Sequence, residues 1–150
     1  MASYILGGTP TTVTSNLEFV PDYIKDEYSI TYILEGNLHA TIPLNFQAQI
    51  IPISMETRTG YTFSGWTPRL PYNMPARDLT VEGEYVKNKR FLHFNTNGGN
   101  TIPIRELEYD APIVLPDTPT KEGFVFQGWD KQDTITRMPD ENTWFNAQWT

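Results

Sequence analysis

Cysteine is absent from this chain. That removes disulfides, thiolate metal sites and cysteine nucleophiles at once. Histidine is nearly absent, with only His39 and His93. A catalytic triad or a zinc site would need one of them beside a fixed partner. Both fall in expected strands, so each reads as a strand-surface residue. Cations are scarce: 11 Lys and Arg face 18 Asp and Glu, for a formal charge of −7. Nucleic-acid backbones and anionic membranes reward clustered cations, so neither is an expected partner. No apolar run approaches the roughly 18 residues that span a bilayer, so membrane insertion is not expected. The opening Met1-Ala2-Ser3-Tyr4-Ile5-Leu6 lacks the basic and long apolar regions of a signal peptide. Phosphate loops, nucleophile elbows and metalloprotease motifs are missing. Asp130-Lys131-Gln132-Asp133 and Asp140-Glu141 lack the spacing and glycine of a calcium loop and read as solvated carboxylates. No enzyme, cofactor or metal site is expected.

What the chain does contain is one pattern written twice. Gly60-Tyr61-Thr62-Phe63-Ser64-Gly65-Trp66 returns as Gly123-Phe124-Val125-Phe126-Gln127-Gly128-Trp129, an offset of 63. Phe46-Gln47-Ala48-Gln49-Ile50 matches Tyr109-Asp110-Ala111-Pro112-Ile113 at the same offset. Met74-Pro75 returns as Met138-Pro139, and Tyr85 aligns with Trp149, both at 64. Anchors that hold one register to within a residue mark a folding unit that has been copied. An enzyme needs one asymmetric site, whereas a tandem array needs a surface.

The period divides the 150 residues into an N-terminal arm (1–27), a first repeat (28–88) and a second (89–150). Domains of about 60 residues bury only about 60% of their unfolded surface, so packing between neighbours is expected to add stability. The linker Lys87-Asn88-Lys89-Arg90 leaves little slack, which predicts a semi-rigid pair. Aromatic and β-branched residues dominate Ser29–Leu34, Phe91–Asn95 and Thr143–Trp149, and they favour strands. Asn97-Gly98 is a strong hairpin signal and Glu35-Gly36 a weaker one. Apolar spacing of the helical kind never runs beyond about ten residues without proline or glycine. Each repeat therefore reads as four main strands. In the arm, Gly7 to Thr12 reads as a turn or extended segment. Asn16 to Ile24, interrupted by Pro21, reads as an added edge strand.

The second copy carries Asn97-Gly98-Gly99, Pro119-Thr120-Lys121-Glu122-Gly123-Phe124, Phe126, Gly128-Trp129 and Ala147-Gln148-Trp149. This order resembles the Listeria–Bacteroides repeat, seen as B repeats in internalin-type surface proteins. The first copy keeps Gly60-Tyr61, Phe63, Gly65-Trp66 and Met74-Pro75 but departs at Gly83-Glu84-Tyr85 and Glu35-Gly36-Asn37. The resemblance implies a mainly β, β-grasp-like fold, two small tandem modules, and framework positions rather than catalytic ones. Those positions are Gly60, Phe63, Gly65, Trp66, Gly123, Phe126, Gly128, Trp129 and Trp149. Their recurrence assigns the aromatics to core, since rings dominate the cores of small domains.

Three functional readings follow. A surface-type repeat in a short chain without secretion signal or wall anchor points to an accessory decoration protein of a phage capsid, on the virion surface. Residues 1–27 would dock it by adding a strand to a protein neighbour, with both repeats projecting. The alternative is an adhesin or spacer fragment of a secreted bacterial surface protein at the cell exterior. The third is a carbohydrate-binding module, which needs exposed aromatics to stack on glycans. Tyr72, Tyr109 and Trp144 are the candidate ligand contacts. Trp144 corresponds to Thr80, so it is not shared framework.

Overall fold

The structure, a computed structural model, describes residues 3–6, 9–12 and 26–150. Ser3–Leu6 (β1) and Thr9–Thr12 (β2) pair antiparallel. The edge strand expected at 16–24 lies outside the described residues, and so does most of the proposed docking arm.

The first repeat opens with Glu27–Leu34 (β3) and Asn37–Asn45 (β4), an antiparallel hairpin. Tyr61–Phe63 (β5) comes next, followed by Leu79–Gly83 (β6) and Tyr85–Lys87 (β7). β6 returns parallel to β3, and β5 pairs antiparallel with β7. The second repeat repeats the order with Lys89–Asn95 (β8), Arg105–Glu108 (β9), Phe126–Trp129 (β10) and Thr143–Trp149 (β11). Its sheet runs β10-β11-β8-β9, with a parallel central pair flanked by antiparallel strands. Among the described residues no helix forms, and the fold is mainly β.

Period-two alternation fixes which side of each strand is buried. Ile30 and Tyr32 on β3, with Leu79 and Val81 on β6, meet Ile50 and Met74 in the first core. Leu92 and Phe94 on β8, with Phe145 and Ala147 on β11, meet Trp129 and Met138 in the second. Burial raises the Tyr32 hydroxyl pKa, a shift opposed in part by its bond with the Ile53 backbone. The copied methionines close equivalent loops. Met74 donates its N–H to the Ala48 carbonyl and Met138 to that of Ala111, each at 2.8 Å.

Repeat 1 departs from its copy where the sequence does. The ideal Cβ position of Gly83 lies 2.6 Å from the Phe63 ring, so this ring occupies space that the equivalent Ala147 fills in repeat 2. The Ser64 hydroxyl then accepts the Glu84 N–H at 3.1 Å, and the closing strand breaks into β6 and β7, whereas β11 runs on unbroken. Tyr85 also changes partner relative to Trp149: its hydroxyl donates to the Glu56 carbonyl (2.6 Å), while the Trp149 indole donates to that of Thr96 (2.8 Å).

Candidate interaction surface

Most of the framework rings are spent on packing. Phe63 and Trp66 meet edge-on at 4.9 Å, and Phe126 and Trp129 at 5.4 Å, with Gly65 and Gly128 between the members of each pair. Trp129 is buried, while Phe63, Trp66, Phe126 and Trp149 are half-buried at the margins of the cores. Their remaining exposure follows from sheets only a few strands wide, which cannot cover rings of this size.

Trp144 has a different setting. On β11 it alternates outward between the inward-facing Thr143 and Phe145, and it lies opposite His93 of β8. The two rings stack at 4.6 Å with an interplanar angle of 11°. Phe91, two residues before His93, shares the outward face of β8. Phe91 and Trp144 each remain 47% exposed. Two residues further along each strand, on the same face, Asn95 donates to Asn146, and Asn146 donates to Asp130 through side chain (3.0 Å) and backbone (2.9 Å). Partial burial would by itself raise the Asp130 carboxyl, but these Asn146 bonds outweigh it and hold the group below the usual aspartate range. The result is a stacked His93–Trp144 pair, with Phe91 on the same strand face, next to a row of amide and carboxylate groups.

The equivalent outward positions of repeat 1 are Ser29, Thr31 and Thr80, so this aromatic face belongs to repeat 2 alone. Phe91 and His93 were not legible as its members from composition. Alternation with Leu92 and Phe94 places them on the outward face of β8, but only the β8–β11 register brings them to Trp144. His39, the other histidine, is exposed on β4 and tilts toward Trp66 with centroids 6.3 Å apart.

The other two expected contact residues separate from this face. Tyr72 is 72% exposed and borders a groove of about 460 Å3 with Ile50, Pro52, Trp66, Leu70 and Pro71. Tyr109 was expected on an open surface but is half-buried in the seam between the repeats. It stands edge-on to Tyr61 at 5.8 Å and covers Gly60. It is placed there because its N–H donates to the Asn88 carbonyl of the linker at 2.7 Å. Among the described residues no three His, Asp or Glu side chains converge as a metal site, and no helix is long and apolar enough to cross a membrane.

The family model of the Listeria-Bacteroides repeat domain matches residues 28–70 and 92–148, one segment in each repeat. The chain belongs to this family. Among individual proteins, it is 26% identical to Internalin H of Listeria monocytogenes over 144 residues, covering 85% of this chain and 26% of that protein. It is 30% identical over 97 residues to a protein of Evansella cellulosilytica named as a Gly-rich membrane protein, covering 57% of this chain and 11% of the relative. A second Evansella relative, named as a membrane protein, is 23% identical over 155 residues, covering 93% of this chain and 23% of its own length. The chain thus spans about a quarter or less of the curated relatives it matches.

Proposed function

We propose that this chain is a non-catalytic attachment segment of a bacterial surface protein, working outside the cell. The relatives support this adhesin or spacer reading over the virion decoration that the short chain suggested, since each comes from a bacterium and is named as an internalin or a membrane protein. The two linked repeats supply a spacer, and the contact face is that of Trp144, His93 and Phe91. The observation that carries this reading is the restriction of that face to repeat 2. A framework position would recur, whereas these three residues are replaced by Ser29, Thr31 and Thr80 in the copy.

The ligand class that suits the face is a glycan. A sugar ring offers an apolar face for the indole, and its hydroxyls reach the neighbouring amides. The experiment has two arms. Protease treatment of intact source cells should release peptides from residues 89–150; their retention inside the cells, or recovery only with phage particles, overturns the surface assignment. A titration of the chain with an oligosaccharide panel should change tryptophan emission, and Trp144→Ala should abolish that change. A flat response at millimolar sugar removes the glycan while leaving the location to be judged by the first arm.

A further inference from the structure

The seam between the repeats has a second, open copy at the far end of the molecule. In repeat 1, Gly60 adopts φ +79°, and its ideal Cβ position lies 2.0 Å from the Tyr109 ring. Its N–H donates to Asp140 Oδ2 at 3.1 Å. Arg58 lies over the Tyr61 ring at 4.2 Å and over Tyr85 at 5.4 Å. In repeat 2 the glycine, the ring after it and the cation over that ring recur, while Thr62, which donates to Asn88, is replaced by Val125. Gly123 adopts φ +81°. Lys121 lies over the Phe124 ring at 4.2 Å and over Trp149 at 5.8 Å.

The chief difference is the occupant. Nothing lies within 4 Å of the Cβ position at Gly123, and Phe124 is 49% exposed. Among the described residues the Gly123 N–H meets no acceptor.

We infer that the Lys121–Gly123–Phe124 face is a docking face for a further repeat module, one carrying an aromatic ring and a carboxylate where repeat 2 carries Tyr109 and Asp140. The face continues the geometry of an interface already formed in this molecule. Its chemistry also matches: the exposed Phe124 ring takes an edge-on aromatic, the Gly123 N–H takes a carboxylate as the Gly60 N–H takes Asp140, and a left-handed glycine leaves room for close approach. A second copy of this chain fits less well. The position of Tyr109 is held by Phe46 in its first repeat, but that of Asp140 is held by Ala76, so the copy would bring a ring without the carboxylate. The incoming module therefore follows repeat 2 as repeat 2 follows repeat 1.

The test extends the full chain with an additional copy of residues 87–150. Thr150 pairs with Val125 as Val86 pairs with Thr62, so Lys87-Asn88 then continues in register. Amide hydrogen exchange at Gly123 should slow about tenfold or more relative to the unextended chain. Asp140→Ala in the appended copy should restore the faster rate, while Asp140→Ala in the original repeat should not. Unchanged exchange at Gly123 beside a folded third repeat overturns the inference. Failure of the appended copy to fold also overturns it, because the same residues fold after repeat 1. Protection of Gly123 in the unextended chain that rises with concentration would identify a second copy as the occupant instead.

Discussion

Asp140 of repeat 2 accepts a hydrogen bond from the backbone N–H of Gly60, 80 residues earlier in repeat 1, at 3.1 Å. Its other oxygen accepts from the Asn88 amide (3.0 Å) and meets Arg90 at 2.9 Å. Asn88 itself donates its backbone N–H to the Gly60 carbonyl at 2.8 Å. One carboxylate thus ties together the end of repeat 1, the linker and the start of repeat 2. The linker is held on both sides: Tyr85–Lys87 and Lys89–Asn95 are both strands, and Asn88 between them is bonded to Thr62 and to Asp140.

The seam should weaken in acid. The Asn88 amide, then the Gly60 N–H and Arg90, hold the Asp140 carboxyl below the usual aspartate range, against a raising effect of burial. A group whose folded pKa is depressed contributes stability that is present above its unfolded pKa, about 3.9, and lost as pH falls through the folded value. The amide resonance of Gly60, followed by NMR from pH 7 to pH 2, should therefore shift with a midpoint below about 3.9. Asp140→Asn should flatten that titration, and a midpoint above the ordinary aspartate value would count against the seam.

Alanine should separate the two equivalent glycines. At Gly123 the added methyl meets open space, so the left-handed backbone alone is penalised, by about 1 kcal/mol. At Gly60 the methyl also runs into the Tyr109 ring, which adds roughly 1–3 kcal/mol of overpacking. Urea denaturation of Gly60→Ala and Gly123→Ala measures the difference. Equal losses would mean that Tyr109 does not seal the seam.

Neighbouring residues on β11 should behave as opposites. Phe145 is fully buried and meets Phe94 edge-on at 5.6 Å, so Phe145→Ala should destabilise repeat 2 by about 3–5 kcal/mol. Trp144→Ala removes an exposed ring stacked on one partner and should change stability by no more than about 1 kcal/mol. Thermal or urea unfolding of both variants distinguishes a core residue from a contact residue. A large loss at Trp144 would reassign it to the framework.

The two turn signals exchange rank in the structure: Glu35-Gly36 closes the tight β3–β4 hairpin, whereas Asn97-Gly98 turns inside the longer 96–104 connection between β8 and β9. Glu35 and Asn97 both adopt left-handed backbone, φ 50° and 49°, a conformation that asparagine tolerates better than glutamate. Glu35→Asn should raise stability by up to about 1 kcal/mol. The Glu35–Arg58 ion pair lost in the exchange is exposed at 3.3 Å and is worth at most about 1 kcal/mol. A fall of more than that in urea midpoint stability would show the pair to be stronger than exposed pairs usually are.

Much of this molecule was legible in its residues. The repeat and the four strands of the second unit follow from local pattern, because strand alternation acts between near neighbours, whereas the first unit forms five strands rather than four. The split of the last strand of repeat 1 was foreshadowed only by Gly83-Glu84-Tyr85, and the packing of Phe63 over Gly83 explains it. Phe91 and His93 could not be joined to Trp144 by pattern. Their pairing depends on the register of two parallel strands separated by about fifty residues of chain, and parallel strands have no tight turn to set that register. The same holds for Tyr109. Its aligned partner Phe46 gives no hint of an inter-repeat contact, since the Tyr109 environment is created by Gly60 and Asp140 arriving from either side of the linker. Local propensity acts through neighbouring residues and so determined the repeat and its strands. The seam and the aromatic face arise from long-range packing, and only the tertiary structure decided them.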